Sequence, residues 1–147
     1  MAALLYKNLS SSRLGISTRL KALATRRINM GGRILLVEDR LQSRKNIAYF
    51  LRTEGYEVNE ASSGKEAIEI LEKDEFDLVL ADVVMPELNG LSLLRHLRSI
   101  APRILVVLMS GHSLDPQQIL KEGATDFITK PLKLDELLSK VRLALER

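Results

Sequence analysis

Five polar residues at the ends of short apolar runs have the types needed to move a phosphoryl group. They are Glu38, Asp39, Asp82, Ser110 and Lys130. Adjacent carboxylates repel each other unless a cation lies between them, and Mg²⁺ in proteins is typically held by one or two carboxylates, waters and a phosphoryl oxygen. An aspartate such as Asp82 can act as a nucleophile and form an acyl phosphate. The set therefore predicts Mg²⁺-assisted phosphoryl transfer onto Asp82, with Glu38 and Asp39 as metal ligands.

Lys130 and Ser110 would assist at the same place. Lysine is a compact cation suited to pairing with a phosphoryl oxygen or, before reaction, with Asp82 itself. The Ser110 hydroxyl can donate to that oxygen afterwards. Taken singly, the acidic pair could begin a solvated loop, Ser110 could merely end a strand, and Lys130 could lie on the surface. The convergence of all five favours the phosphoryl-transfer interpretation.

From Arg33 onward, short apolar runs alternate with amphipathic segments, which is typical of an α/β fold. The predicted strands are 34–37, 58–61, 78–81, 104–108 and 127–129, and the predicted helices are 41–54, 64–73, 91–100, 114–122 and 134–146. Five strand–helix repeats predict a parallel sheet covered by helices on both faces. Ligands of such sheets bind outside the carboxyl ends of the strands, where the polar residues stand. Ser63 is placed to cap the second helix, and Gly55 and Gly123 stand where helix ends favour a left-handed residue.

Charge divides the sequence into two parts. Residues 1–29 contain six basic residues and no acid, whereas the remainder contains 16 basic and 19 acidic residues. The net charge of +3 therefore hides a mildly acidic body and is poor support for nucleic-acid binding. We expect a basic N-terminal extension over residues 1–31, disordered or loosely helical, and one folded domain over residues 32–147. The extension has features of a transit peptide or a membrane-surface helix, but Met30 could equally be the true start, so its role stays open.

Composition excludes several kinds of site. The chain has no cysteine, so it forms neither disulfides nor thiolate metal sites. No apolar stretch reaches the ~18 residues that a membrane-spanning helix needs. The absence of tryptophan and an aromatic content of 4% disfavour recognition by base stacking.

From Arg33 to Arg147, the sequence resembles a response-regulator receiver domain of two-component signalling, in the chemotaxis-regulator-like superfamily. The motifs that carry the resemblance are Ile-Leu-Leu-Val-Glu-Asp at 34–39, Asp-Val-Val-Met-Pro-Glu-Leu-Asn-Gly at 82–90, Met-Ser-Gly at 109–111 and Gly-Ala-Thr-Asp-Phe-Ile-Thr-Lys-Pro at 123–131. Each motif is weak alone, but their order and spacing together are specific. The resemblance implies a flavodoxin-like, doubly wound (βα)5 parallel sheet with strand order 2-1-3-4-5.

The resemblance also implies roles for individual residues. Asp82 matches the phosphoacceptor, and Lys130 matches the lysine of the family. Ser110 and Phe127 match the switch pair, in which the hydroxyl moves to the phosphoryl group and the aromatic ring turns inward. The positions that match the Mg²⁺ ligands are Glu38, Asp39, Asp82 and the main-chain carbonyl of Val84.

Three further expectations follow from the same comparison of motifs. The Lys130–Pro131 bond is expected to be cis. The stretch from Ser110 to Gly123 is short for the family, which predicts a trimmed fourth helix and leaves dimerisation undecided. His112 is interpreted as a solvated loop histidine, with shielding of an acyl phosphate from water as the alternative.

These features predict a stand-alone, cytoplasmic receiver that takes a phosphoryl group from a sensor histidine kinase or a histidine phosphotransfer protein. Because the sequence ends directly after the fifth predicted helix, we expect no DNA-binding domain, although a fragment of a larger hybrid kinase or regulator would show the same pattern. Because no apolar stretch is long enough, we also expect no transmembrane segment. Output would then be contact with a downstream protein or a phosphorelay. Such a protein is not an enzyme, although it assists its own phosphoryl transfer and dephosphorylation.

Three alternatives can be compared with this interpretation. A receiver-like interaction module that is not phosphorylated would be expected to lack Asp82, Lys130 or the acidic pair, and all are present. A flavodoxin-like cofactor binder needs hydroxyls and backbone donors where the acidic pair would repel a phosphate. A haloacid-dehalogenase-type phosphatase needs a second acid at the position of Val84.

Overall fold

A five-stranded parallel sheet forms the centre of the residues that the computed structural model describes, 31–111 and 114–146. Its strands are β1 (Arg33–Val37), β2 (Glu57–Ala61), β3 (Leu78–Asp82), β4 (Leu105–Ser110) and β5 (Asp126–Thr129). The helices are α1 (Leu41–Thr53), α2 (Gly64–Lys73), α3 (Gly90–Ile100), α4 (Pro116–Lys121) and α5 (Leu134–Leu145). The order β2-β1-β3-β4-β5 confirms the predicted flavodoxin-like (βα)5 fold. The predictions for residues 1–30 and for His112 lie outside the described residues.

Alternating side chains of the strands build one core on each face of the sheet, because successive residues of a strand point to opposite faces. Leu35 and Val37 join the core beneath α2, α3 and α4. Ile34 and Leu36 join the core beneath α1 and α5. Full burial of an aliphatic side chain contributes about 1.5–3 kcal/mol. The uninterrupted apolar runs of the central strands are thus explained by burial on both faces.

Local signals place the helix boundaries. The side chains of Ser63, Asn89 and Asp115 accept hydrogen bonds from backbone N–H groups in the first turns of α2, α3 and α4. Gly55 and Gly123, at φ of 96° and 104°, follow α1 and α4 in the left-handed region, where glycine has no steric cost. The predicted cap and the two predicted glycine positions are confirmed.

Helix α4 is only six residues long and is held at one end by α3. It was predicted over 114–122 but begins at Pro116, because proline lacks the N–H that an interior helical position requires. At its carboxyl end, Arg95 donates two hydrogen bonds to the Glu122 carboxylate, at 2.7 and 2.8 Å. Arg98 donates to the carbonyl of Gly123 at 2.8 Å. Two arginines of α3 therefore fix the end of α4 that lies away from Ser110.

Among the described residues, no helix combines the length and the apolar character needed to cross a membrane.

Candidate functional site

Three carboxylates meet where β1 and β3 end. These strands are parallel neighbours, with Val37 opposite Ala61 on β2 and Ala81 on β3, so their carboxyl ends lie at one edge of the sheet. Glu38 and Asp82 are 1% and 2% exposed. Oxygen atoms of Glu38, Asp39 and Asp82 lie within 4.8 Å of one another. The structure thus brings together the acidic residues that the sequence predicts as metal ligands.

The acidic cluster fits a hard divalent cation. Within the described part of the chain, the buried Oε2 atom of Glu38 has no hydrogen-bond partner. Burial, together with the hydrogen bond and charge of the neighbouring Asp82 carboxylate, raises the pKa of Glu38 to about 8. Buried carboxylates are stable when they are paired with a cation or coordinate a metal. Because all the donors are oxygen atoms, the cluster suits Mg²⁺ better than a softer metal.

Two different donors hold the two oxygens of Asp82. The Lys130 ammonium lies 2.5 Å from Asp82 Oδ2, and the backbone N–H of Val84 donates to Asp82 Oδ1 at 3.1 Å. Lys130 reaches the site because β5 lies beside β4, and the N–H of Lys130 donates to the Ser110 carbonyl at 2.7 Å. The next peptide bond, Lys130–Pro131, is cis as predicted. A cation and a backbone N–H therefore fix the orientation of this carboxylate.

The β3–α3 loop is held tightly against Asp82. The N–H of Gly90 donates to the Val83 carbonyl at 3.0 Å. A Cβ atom at Gly90 would lie 2.6 Å from the Asp82 carbonyl oxygen, so only glycine fits this close approach. Val84 itself is 68% exposed, and its carbonyl stays a predicted ligand. The loop thus sets the position of Asp82 through backbone contacts.

Glu87 in this loop has a positive φ of 65°. We expect Glu87→Gly to raise the free energy of unfolding by about 0.5–1 kcal/mol. Left-handed backbone costs a residue with a Cβ roughly 1–2 kcal/mol, and the greater unfolded-state entropy of glycine offsets about half of that gain. Urea unfolding of wild type and variant measures the difference. Glu87→Ala is the matched control, and an equal gain in that variant would attribute the effect to the lost charge instead of the backbone.

The predicted switch pair lines a cavity beside the acidic cluster. Ser110 is 4% exposed, and its hydroxyl donates to the Gly111 carbonyl at 3.0 Å. The half-buried Phe127 lies on β5 next to Leu108 of β4. Both residues line a cavity of about 200 Å³ that α4 covers through Pro116 and Ile119. The structure therefore places both predicted residues together and directs the Ser110 hydroxyl to its neighbouring carbonyl.

Lys140 was missed by the sequence analysis. Its ammonium lies 4.8 Å from the centre of the Phe127 ring, 2.8 Å from the Phe127 carbonyl oxygen and 3.3 Å from Asp126 Oδ1. Helical spacing assigns Lys140 to the last helix but cannot show which strand it contacts. The contact of Lys140 with Phe127 therefore becomes visible only in the structure, where α5 packs against β5.

Two curated relatives are much longer than the segment they share with this chain. A probable transcriptional regulatory protein of Picosynechococcus is 38% identical over 124 residues, which are 78% of this chain and 49% of the relative. The sensor kinase CckA of Brucella abortus is 40% identical over 118 residues, which are 78% of this chain and 12% of the kinase. The chain thus spans about half the length of the first relative and a small part of the second.

The prediction that no DNA-binding domain accompanies the receiver is contradicted by its relatives. The relative from Picosynechococcus is named as a regulator of transcription, and half of its length lies outside the shared segment. The physical reason is that both cores close within the sheet and its five helices. Because the fold is complete in itself, the position of its last helix carries no information about further domains.

The remaining comparisons concern the fold and the family. The receiver domain of the Francisella response regulator 1452 superimposes with a TM-score of 0.75 and 29% identity, covering 79% of this chain and 98% of that domain. The family described as "Response regulator receiver domain" matches residues 34–142. That range contains both cores, the three carboxylates, Lys130 and the Ser110–Phe127 pair. The chain belongs to the response-regulator receiver domain family.

Proposed function

We propose that residues 32–147 act as a phosphorylation-dependent signalling switch in which Asp82 accepts a phosphoryl group from a phosphohistidine. The observation that supports it most is the buried Asp82 carboxylate, held by Lys130 on one oxygen and set among two further acids. An Asp82 oxygen attacks the phosphorus atom, and the P–N bond to the donor imidazole breaks. The imidazole keeps the electron pair of that bond and takes up a proton. The product is an acyl phosphate on Asp82.

The side chains of Glu38, Asp39 and Asp82, together with the main-chain carbonyl of Val84, would hold Mg²⁺. When bound, Mg²⁺ neutralises charge on the transferring group. Lys130 already contacts Asp82, so its ammonium is in place to pair with a phosphoryl oxygen after transfer. The chain acts on itself and not on a separate substrate. Water attack on the acyl phosphate would reset the switch.

The change that follows phosphorylation is proposed to run through Ser110 and Phe127. The Ser110 hydroxyl leaves the Gly111 carbonyl and donates to the phosphoryl group. The Phe127 ring then turns into the cavity that it shares with Ser110. Because α4 covers this cavity, the surface formed by α4 and β5 changes with the state of Asp82. A local change of charge thereby alters a surface that a partner can recognise.

The phosphoryl donor in this proposal is a sensor histidine kinase or a histidine phosphotransfer protein. The match to the response-regulator receiver domain family supports it. A cytoplasmic location belongs to the same proposal. The alternative is a receiver-like module that binds its partner without being phosphorylated.

The test is the intact mass of the protein after incubation with acetyl phosphate, with Mg²⁺ and with EDTA. We expect a gain of one phosphoryl group that requires Mg²⁺ and is removed by hydroxylamine, which cleaves acyl phosphates. If acetyl phosphate gives no gain, a purified histidine kinase with ATP is the second donor. Failure with both donors would reject phosphorylation and favour the unphosphorylated module.

Glu38→Gln is expected to weaken Mg²⁺ binding by at least about tenfold, since even loss of an outer-shell partner costs metal sites roughly 10–100-fold. At Mg²⁺ concentrations 100-fold above the wild-type Kd, the ion adds about 2.7 kcal/mol to the free energy of unfolding of the wild type, and this gain falls to about 1.4 kcal/mol after a tenfold loss. Urea unfolding with and without Mg²⁺ measures both gains. Glu69→Gln, on the exposed side of α2, is the control that keeps the full gain. An undiminished gain in Glu38→Gln would remove Glu38 from the ligand set.

A further inference from the structure

The ammonium group of Lys140 is held almost entirely by Phe127 and its neighbour. It contacts the ring of Phe127, donates a hydrogen bond to the Phe127 carbonyl at 2.8 Å and pairs with Asp126 at 3.3 Å. The Lys140 and Asp126 side chains are 26% and 24% exposed. Because water reaches these groups only partly, the contact is screened less than one on the open surface.

The Phe127 ring has a second place available to it. The cavity of about 200 Å³ lies between the ring and Ser110, and Ile119 of α4 forms part of its wall. An apolar cavity of roughly 150 Å³ accepts a benzene molecule, so the volume is sufficient for a phenyl ring. The ring can therefore lie either beside Lys140 or within the cavity, and only the first position keeps the contact with the ammonium.

We propose that Lys140 is a positioning residue that holds the Phe127 ring outside the cavity. It thereby sets the equilibrium between the outer and the inner position of the ring. The cation–π contact favours the outer position by about two- to fivefold in the equilibrium of the ring, from the strength of such contacts at partly exposed sites. The backbone hydrogen bond and the Asp126 pair keep the ammonium in place but do not depend on where the ring lies. This inference rests on the proposed function for its link to Asp82, but not for its effect on the ring.

The link to Asp82 follows from thermodynamic reciprocity. If modification of Asp82 favours the inner ring, then any change that favours the inner ring strengthens binding of an acyl-phosphate mimic by the same factor. Beryllium fluoride is such a mimic, since it forms a tetrahedral adduct on a carboxylate oxygen. Removal of the Lys140 charge should therefore tighten beryllium fluoride binding about two- to fivefold.

The chain has three phenylalanines, so labelling with fluorophenylalanine gives three ¹⁹F signals. The Phe127 signal is the one that disappears in the variant Phe127→Leu. In Lys140→Met, we expect a stronger nuclear Overhauser effect between the Phe127 fluorine and the Ile119 methyl groups, in the unmodified protein. Lys140→Arg keeps a cation over the ring and should match the wild type. Unchanged signals of the other two phenylalanines confirm that Lys140→Met is folded.

Two outcomes would overturn the proposal. One is a Phe127 signal in Lys140→Met that equals the wild-type signal, and the other is a change of the same size in Lys140→Arg. Failure of the proposed function is recognised separately, because beryllium fluoride would then leave the wild-type Phe127 signal unmoved. In that event, the comparison of Lys140→Met with Lys140→Arg in the unmodified protein still decides whether Lys140 holds the ring.

Discussion

Asp82→Asn is expected to abolish the gain of one phosphoryl group completely, with acetyl phosphate and with a kinase. The amide keeps the size of the carboxylate but has no anionic oxygen to attack phosphorus. The neighbouring Glu38 is not expected to substitute for it, because its carboxylate is assigned to the Mg²⁺ site. Intact mass spectrometry of wild type and variant, under identical Mg²⁺ and donor concentrations, measures the effect.

The matched control for this experiment is Asp135→Asn. Asp135 lies exposed in the first turn of α5, and its carboxylate accepts a hydrogen bond from the next backbone N–H. This variant should take up one phosphoryl group, as the wild type does. A gain that persists in Asp82→Asn would mean that another carboxylate is the acceptor, and peptide mapping would then locate it.

Lys130→Met is expected to lower the free energy of unfolding by about 3 kcal/mol in buffer without Mg²⁺. It leaves the Asp82 carboxylate, which is 2% exposed, without its cation and beside Glu38. Breaking a buried ion pair by removal of one partner costs about 3–5 kcal/mol, and the partial exposure of Lys130, 29%, places the effect at the lower end. Urea unfolding measures the loss.

A double variant separates the lost ion pair from lost packing. Lys130→Met combined with Asp82→Asn removes both charges, so most of the stability should return. The interaction energy of such a pair is the change in unfolding free energy of the double variant minus the sum of the changes in the two single variants. If the double variant is no more stable than Lys130→Met, the ammonium does not act on Asp82 and the site has been assigned incorrectly.

Much of the fold could be predicted because buried strands are recognisable in the sequence as short runs of apolar residues. The central strands are apolar between their end residues, since both their faces are covered. Their ends are marked by the first charged or hydroxyl side chain, and the parallel sheet then brings Glu38, Asp82 and Lys130 to one edge. The sequence could therefore predict the location of residues whose position depends only on the strand that carries them.

The remaining features depend on contacts between elements that are distant in sequence. Lys140 and Arg98 have their roles because α5 packs on β5 and α3 packs beside α4. The positive φ of Glu87 could not be predicted, since glutamate is not a typical left-handed residue. The start of α4 was predicted two residues early, because Leu114 continues the apolar spacing while Pro116 and the Asp115 cap decide the boundary.

The shortness of α4 makes its folding conditional on its neighbours. An isolated helix below about 12–15 residues is marginal in water, and α4 has six. Its helical order is therefore maintained by the burial of Ile119 and by the two arginines of α3 at its far end. Local unfolding of such a unit costs far less than unfolding of the whole domain. A partner that binds this region could thus change the fraction of molecules in which α4 is helical, and not only the orientation of the helix.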